Sequence, residues 1–148
     1  MLSRRAFLRR LDIPAVEAAI RRAEAQTSGE IRVSVAGFFR GDPRRLGERA
    51  FERLRMRATR HRNGVLILVT PARRQVLVLG DEGIHARVGD AFWTGVIATL
   101  RERLAHEQFT AGLLEAIEIV GRELARHFPP EPGDNPNELP DTVDRAGA

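Results

Sequence analysis

The 148-residue sequence contains no cysteine, no tyrosine and no lysine; all 24 basic residues are arginine. The absence of thiols excludes disulfides, thiolate zinc sites and cysteine nucleophiles. With no Lys, Tyr or Cys, no side chain has an ordinary pKa between those of histidine and arginine. A net charge of +4 therefore persists to high pH, and the sequence pI of 11.2 overstates the basicity. Long apolar runs are also missing, and none approaches the length of a membrane span. Residues 1–11 are basic but lack the apolar stretch that completes a secretory signal. The expectation is a soluble, cytoplasmic protein with one domain large enough for a real core. The arginine loading reads as the signature of a genome rich in G and C in preference to a nucleic-acid surface.

The most organised stretch is 63–83. Two apolar runs, 65–69 and 76–79, are too short for helices and read as buried strands. The polar bridge 70–75 is short and contains Pro71, so the strands are expected to be antiparallel neighbours. The second strand then ends near where the first begins. Asn63 and the loop Gly80-Asp81-Glu82-Gly83 fall at the same edge of the sheet, and the glycines let backbone come close to whatever binds there.

Elsewhere the pattern alternates. Residues 13–26 form an amphipathic helix capped by Asp12, with Pro14 in its first turn. Residues 30–37 form a strand with Ile31, Val33 and Val35 on its better-buried face. Residues 43–59 form a helix capped by Asp42, whose Glu–Arg pairs four apart suit a solvated face. Residues 84–89 read as a connector or short edge strand, and 90–104 as a helix. A last helix, with Thr110 as its cap, runs to 127 and is stopped by Pro129-Pro130. The body is thus residues 1–128, followed by a Pro- and acid-rich tail, 129–148, expected to lie partly on it. The element order predicts an α/β fold, a three-layer α/β/α sandwich with a small mixed sheet of three or four strands. A helical crossover makes the first strand parallel to 65–69. That places Glu30 at the same edge as Asn63 and Asp81.

Carboxylates without thiols suit a hard cation, Ca²⁺, Mg²⁺ or Mn²⁺, and disfavour Zn²⁺. The candidate ligands are Glu30, Asp81 and Glu82, with Asn63 adding a carbonyl. The tail, through Asp134 and Glu138, folds back to complete the site. The competing reading makes Asp81 and Glu82 simple turn caps and leaves the tail solvated. No serine has a nucleophile-elbow context and no phosphate loop follows a strand, so no catalytic residue is assigned.

Four stretches carry a likeness to a known family: Thr27-Ser28-Gly29-Glu30-Ile31; Arg62-Asn63-Gly64-Val65-Leu66-Ile67; Gly80-Asp81-Glu82-Gly83-Ile84-His85 followed by Phe92-Trp93; and Phe128-Pro129-Pro130 with Asn137-Glu138-Leu139-Pro140-Asp141. In this order and spacing the chain resembles the TPM domain family. The resemblance implies an α/β/α sandwich and a divalent-cation site, most often proposed for calcium or magnesium. It matches the family's acidic positions at Glu30 and Asp81, and implies an ordered tail at 137–141. An acid-phosphatase activity has been suggested for plant chloroplast relatives that take part in photosystem II repair, and other relatives act as accessory or assembly proteins. Longer members carry a signal peptide and a membrane anchor, and neither is expected from the residues of this sequence.

Two functions follow. The first is a Ca²⁺- or Mg²⁺-binding accessory or interaction domain without chemistry of its own, whose protein partner is unknown. The alternative is a metal-assisted acid phosphatase, with Arg62 or Arg87 holding the phosphate and Glu30, Glu82 or His85 as the general base. A third reading is an arginine-driven nucleic-acid or anionic-membrane module, whose binding would fall steeply with salt; Phe92-Trp93 lies on a core-facing helix and leaves no base-stacking platform, which counts against nucleic acid.

Overall fold

The computed structural model describes residues 2–131 and 139–145. Three strands, β1 (Glu30–Val35), β2 (Gly64–Thr70) and β3 (Gln75–Gly80), lie in the order β1-β2-β3. β1 runs parallel to β2 with Glu30 opposite Gly64, and β3 returns antiparallel with Gly80 opposite Val65. The mixed sheet, its pairing and its register at this end agree with the sequence reading. β2 is the central strand and is buried at every position, as a continuous apolar run demands when both faces of a sheet are covered.

The period-two alternation decides which layer each side chain joins. Ile31, Val33, Val35, Val65, Ile67, Val69, Val76 and Val78 face one side. They join the large core formed with α2 (Ile13–Glu24), α5 (Asp90–Ala105) and α6 (Phe109–His127). Leu66, Leu68, Leu77 and Leu79 face the other side, under α3 (Pro43–Arg53). The result is the α/β/α sandwich.

Several boundaries differ from the sequence reading. Residues 82–88 are a helix, α4 (Glu82–Val88), and not a connector or edge strand. The Asp81 carboxylate accepts from the Glu82 N–H and caps this helix, while Gly89, at φ 77°, turns the chain into α5. α3 stops at Arg53 instead of running to 59, because Arg55 adopts a left-handed conformation. Thr110 does not cap α6; its hydroxyl accepts from the Asp12 N–H at 3.0 Å and ties α6 to the start of α2. A helix not foreseen, α1 (Arg4–Arg9), is capped by Ser3 and buries Phe7, whose ring meets Phe109 at 4.8 Å.

Residues 139–145 lie along the open edge of β1. Asp144 bridges Ser34 in parallel, donating its N–H to Val33 and accepting from the Val35 N–H through its carbonyl. Leu139 is buried in the α3 layer and Val143 in the opposite core. This segment covers backbone groups that an edge strand otherwise leaves unpaired.

Candidate functional site

The end of the sheet where β1 and β2 begin and β3 finishes gathers most of the polar side chains picked out in the sequence. The Asp81 N–H bonds the Gly64 carbonyl at 2.9 Å, and the Glu30 N–H reaches the Asn63 carbonyl at 3.4 Å. Glu30, Asn63 and Asp81 are all buried. Their side chains nevertheless separate into two clusters with different partners.

The first cluster sets one guanidinium, that of Arg62, between two carboxylates. Asp81 accepts two hydrogen bonds from Arg62, Nε to Oδ2 at 2.7 Å and Nη2 to Oδ1 at 3.1 Å, in addition to the Glu82 N–H. Such a bidentate pair is among the stronger side-chain contacts. It raises the Arg62 pKa, chiefly through the hydrogen bond to Asp81. Glu82 is exposed and pairs with the same guanidinium at 3.1 Å. Both carboxylates expected as cation ligands therefore already have a cation, Arg62. The glycines of this loop make room for the protein's own atoms. A Cβ on Gly83 would lie 2.1 Å from the His61 carbonyl oxygen, and one on Gly80 would lie 2.2 Å from the Trp93 ring. His85 accepts from the Trp93 indole N–H at 3.0 Å through Nδ1. Arg87 lies over the Phe128 ring.

The second cluster is a group of three carboxyl side chains, Glu24, Glu30 and Asp141. Glu24, at the end of α2, is only 8% exposed and accepts from the Ile31 N–H at 2.8 Å. Its side chain also hydrogen-bonds those of Asp141 and Glu30. Two carboxyl groups can share a hydrogen bond only if one carries a proton. Burial first, then the bonds to Asp141 and Glu30 and the Glu30 charge, push the Glu24 pKa up to about 11, opposed by the Ile31 N–H. Glu30 also accepts from the Leu139 N–H at 3.1 Å, so residues 139–141 close over the cluster. Next to it in register, Asn63 is fully buried. Its Nδ2 donates to Ser28 at 3.3 Å, while its Oδ1 has no hydrogen-bond partner among the described residues.

Of the five ligands expected from the sequence, Glu30 lies in this second cluster, and Asp81 and Glu82 lie in the Arg62 cluster. Asp134 and Glu138 fall outside the described residues. Sequence reasoning missed Glu24. A signal existed: Glu24 continues the stripe of Val16 and Ile20 at four-residue spacing, which puts a carboxyl group on an apolar face. Among the described residues, no group of three or more His, Cys, Asp or Glu side chains is arranged to hold a metal ion. A third polar group, also unforeseen, fastens the tail. Asp144 accepts from Ser34 Oγ at 2.8 Å and from Arg53 at 2.9 and 3.3 Å.

Comparison with known proteins places this geometry in context. The BA42 protein from the psychrophilic bacterium Bizionia argentinensis, solved by NMR, is 35% identical. The match covers 90% of this chain and 92% of that one, with a TM-score of 0.83. The N-terminal domain of the cg2496 protein from Corynebacterium glutamicum, also an NMR structure, is 24% identical over 76% of this chain and 71% of that one. Its TM-score of 0.59 shows a shared fold. No curated protein matches the sequence. The TPM domain model matches residues 3–123, and the chain belongs to the TPM domain family.

Proposed function

We propose that this chain is a divalent-cation-binding domain of the accessory or interaction type, and that the ion, calcium or magnesium, is held by Glu24, Glu30 and Asp141 once these side chains leave their present arrangement, which is not that of a metal site. The observation that carries this reading is geometric: the carboxyl groups of Glu24 and Glu30, both buried, meet that of Asp141 at one end of the sheet, under the Leu139 N–H. A buried group of carboxyl side chains favours a bound proton, and a dication can replace that proton. The donor set fits a hard cation: carboxylate oxygens, with the buried Asn63 Oδ1 as an amide oxygen whose bonding capacity is unused among the described residues. When bound, the ion supplies positive charge that joins α2, β1 and residues 139–141. Loading requires Glu24 to release its proton and the carboxylates to turn from their present hydrogen bonds.

The phosphatase alternative finds less support in the same residues. Arg62 is committed to Asp81 and Glu82, and Arg87 to the Phe128 ring.

The test is a thermal-unfolding titration of chelator-treated protein with Ca²⁺ and Mg²⁺, on wild type, Glu30→Gln and Glu82→Gln. A ligand at one hundred times its Kd stabilises the native state by about 2.7 kcal/mol. The midpoint should rise with cation in the wild type and in Glu82→Gln, and stay unchanged in Glu30→Gln. No rise with either ion, or an equal rise in Glu30→Gln, refutes the site. Cation-dependent hydrolysis of p-nitrophenyl phosphate, abolished by Glu30→Gln, would instead establish the enzyme reading.

A further inference from the structure

The opposite end of the sheet, where β1 and β2 finish and β3 begins, has a different character. The loop after β1 carries Phe38, which is 58% exposed and the one large apolar side chain so exposed among the described residues. The loop is held in place around it. Phe39 turns inward and is 8% exposed, Arg73 lies over the Phe39 ring at 4.4 Å, and Arg73 Nη1 donates to the Gly41 carbonyl at 2.6 Å. Phe38 is therefore presented outward by a fastened loop. Around it, Arg40, Arg45 and Arg74 are exposed and form no ion pair among the described residues. α1 packs against the turn Pro71–Arg73, which adds its arginines to this end.

The charge is concentrated here. Residues 2–11, 36–45 and 70–75 contain nine arginines and one acid, a formal +8, against +4 for the whole chain; the remainder is therefore −4. A compositional bias toward arginine explains why arginine replaces lysine. It does not explain why the excess falls in these three segments, of whose nine arginines Arg10 and Arg44 pair with acids outside them, Glu107 and Glu48.

We propose that this end is a docking surface for an anionic lipid bilayer, with Phe38 inserting at the headgroup level and the arginines binding lipid phosphates. Arginine's planar fork matches phosphate. A single apolar wedge within a basic surface suits an interface that is charged outside and apolar beneath. Nucleic acid fits less well. Phe38 is the one large aromatic so exposed among the described residues, and a single ring gives no platform on which successive bases could stack. No helix among the described residues is long and apolar enough to cross a membrane, and surface docking requires none.

The experiment is co-sedimentation of the full chain with phosphatidylcholine vesicles, plain or carrying about a quarter phosphatidylglycerol, at low and high salt. Binding should require the anionic lipid and weaken with salt. Phe38→Ala should lower the partition coefficient about tenfold, and Arg40→Glu or Arg74→Glu by about tenfold or more. Arg126→Glu, the same charge change on the exposed last turn of α6, should change it less than about twofold. All four positions are on the surface, and circular dichroism confirms folding. Absence of binding to anionic vesicles at low salt overturns the proposal. So does equal loss in Arg126→Glu, which would reduce the effect to net charge. Salt-sensitive binding to a DNA or RNA oligonucleotide, unaffected by Phe38→Ala and without vesicle binding, would assign the surface to nucleic acid.

Discussion

Replacing Glu24 by glutamine tests the proton at the centre of the acidic cluster. Glu24 has its carboxyl pKa raised from 4.5 to about 11 in the folded protein. In the unfolded chain it ionises normally, so the native state binds the extra proton between these two values. The sign follows. The stability this group contributes is fully present below about pH 4.5, and it is lost as pH rises toward the folded value. One proton gives a slope of at most about 1.4 kcal/mol per pH unit. Sharing among three carboxyl groups and relaxation of the cluster reduce this, and about 1–2 kcal/mol between pH 6 and 8 is a reasonable magnitude. For a chain of this length that corresponds to a midpoint shift of about 3–6 °C. Glutamine keeps an acceptor for the Ile31 N–H and a donor for its neighbours, but cannot ionise. Cation-free wild type should therefore lose about 3–6 °C more than Glu24→Gln on going from pH 6 to pH 8. At pH 8 the variant should be the more stable protein. The histidines are common to both and cancel in the difference. Thermal unfolding followed by circular dichroism, in chelator, reads this directly. Saturating Ca²⁺ should remove most of the wild-type slope, since the ion-loaded native state no longer holds the proton. Parallel pH profiles for the two cation-free proteins would refute the protonated carboxyl and, with it, the argument for the cation.

Three further outcomes follow from the geometry. Asp144→Asn loses the ion pair to Arg53 while keeping a partner for Ser34. It should cost about 2 kcal/mol in urea unfolding and expose residues 139–145 to limited proteolysis. Gly83→Ala places a methyl group 2.1 Å from the His61 carbonyl oxygen, which is backbone and cannot swing away. A loss of about 2–3 kcal/mol, or failure to fold, is expected, and an unchanged midpoint would contradict the packing of this loop. Glu82→Gln, in contrast, changes an exposed partner of Arg62 and should shift stability by less than about 0.5 kcal/mol.

What the sequence determined by itself is the part encoded in short-range pattern. Continuous apolar runs of strand length defined β2 and β3, the short bridge at 70–75 fixed them as antiparallel neighbours, and the intervening helix made β1 parallel. Glu30, Asn63 and Asp81 were thereby placed at one end of the sheet. Local pattern failed at α4, where Glu82-Gly83-Ile84-His85-Ala86-Arg87-Val88 has only one buried residue and no clear stripe. It failed at α1 too, whose single buried residue, Phe7, meets Phe109 across the fold. The identity of each carboxylate's partner was decided by tertiary structure alone. Asp81 reaches Arg62 across 19 positions, and Leu139 brings its N–H to Glu30 across 109. Sequence spacing places such groups at an edge, but the energy of a buried carboxyl group depends on which charge or proton lies within a few ångströms, and that distance exists only once the chain has folded.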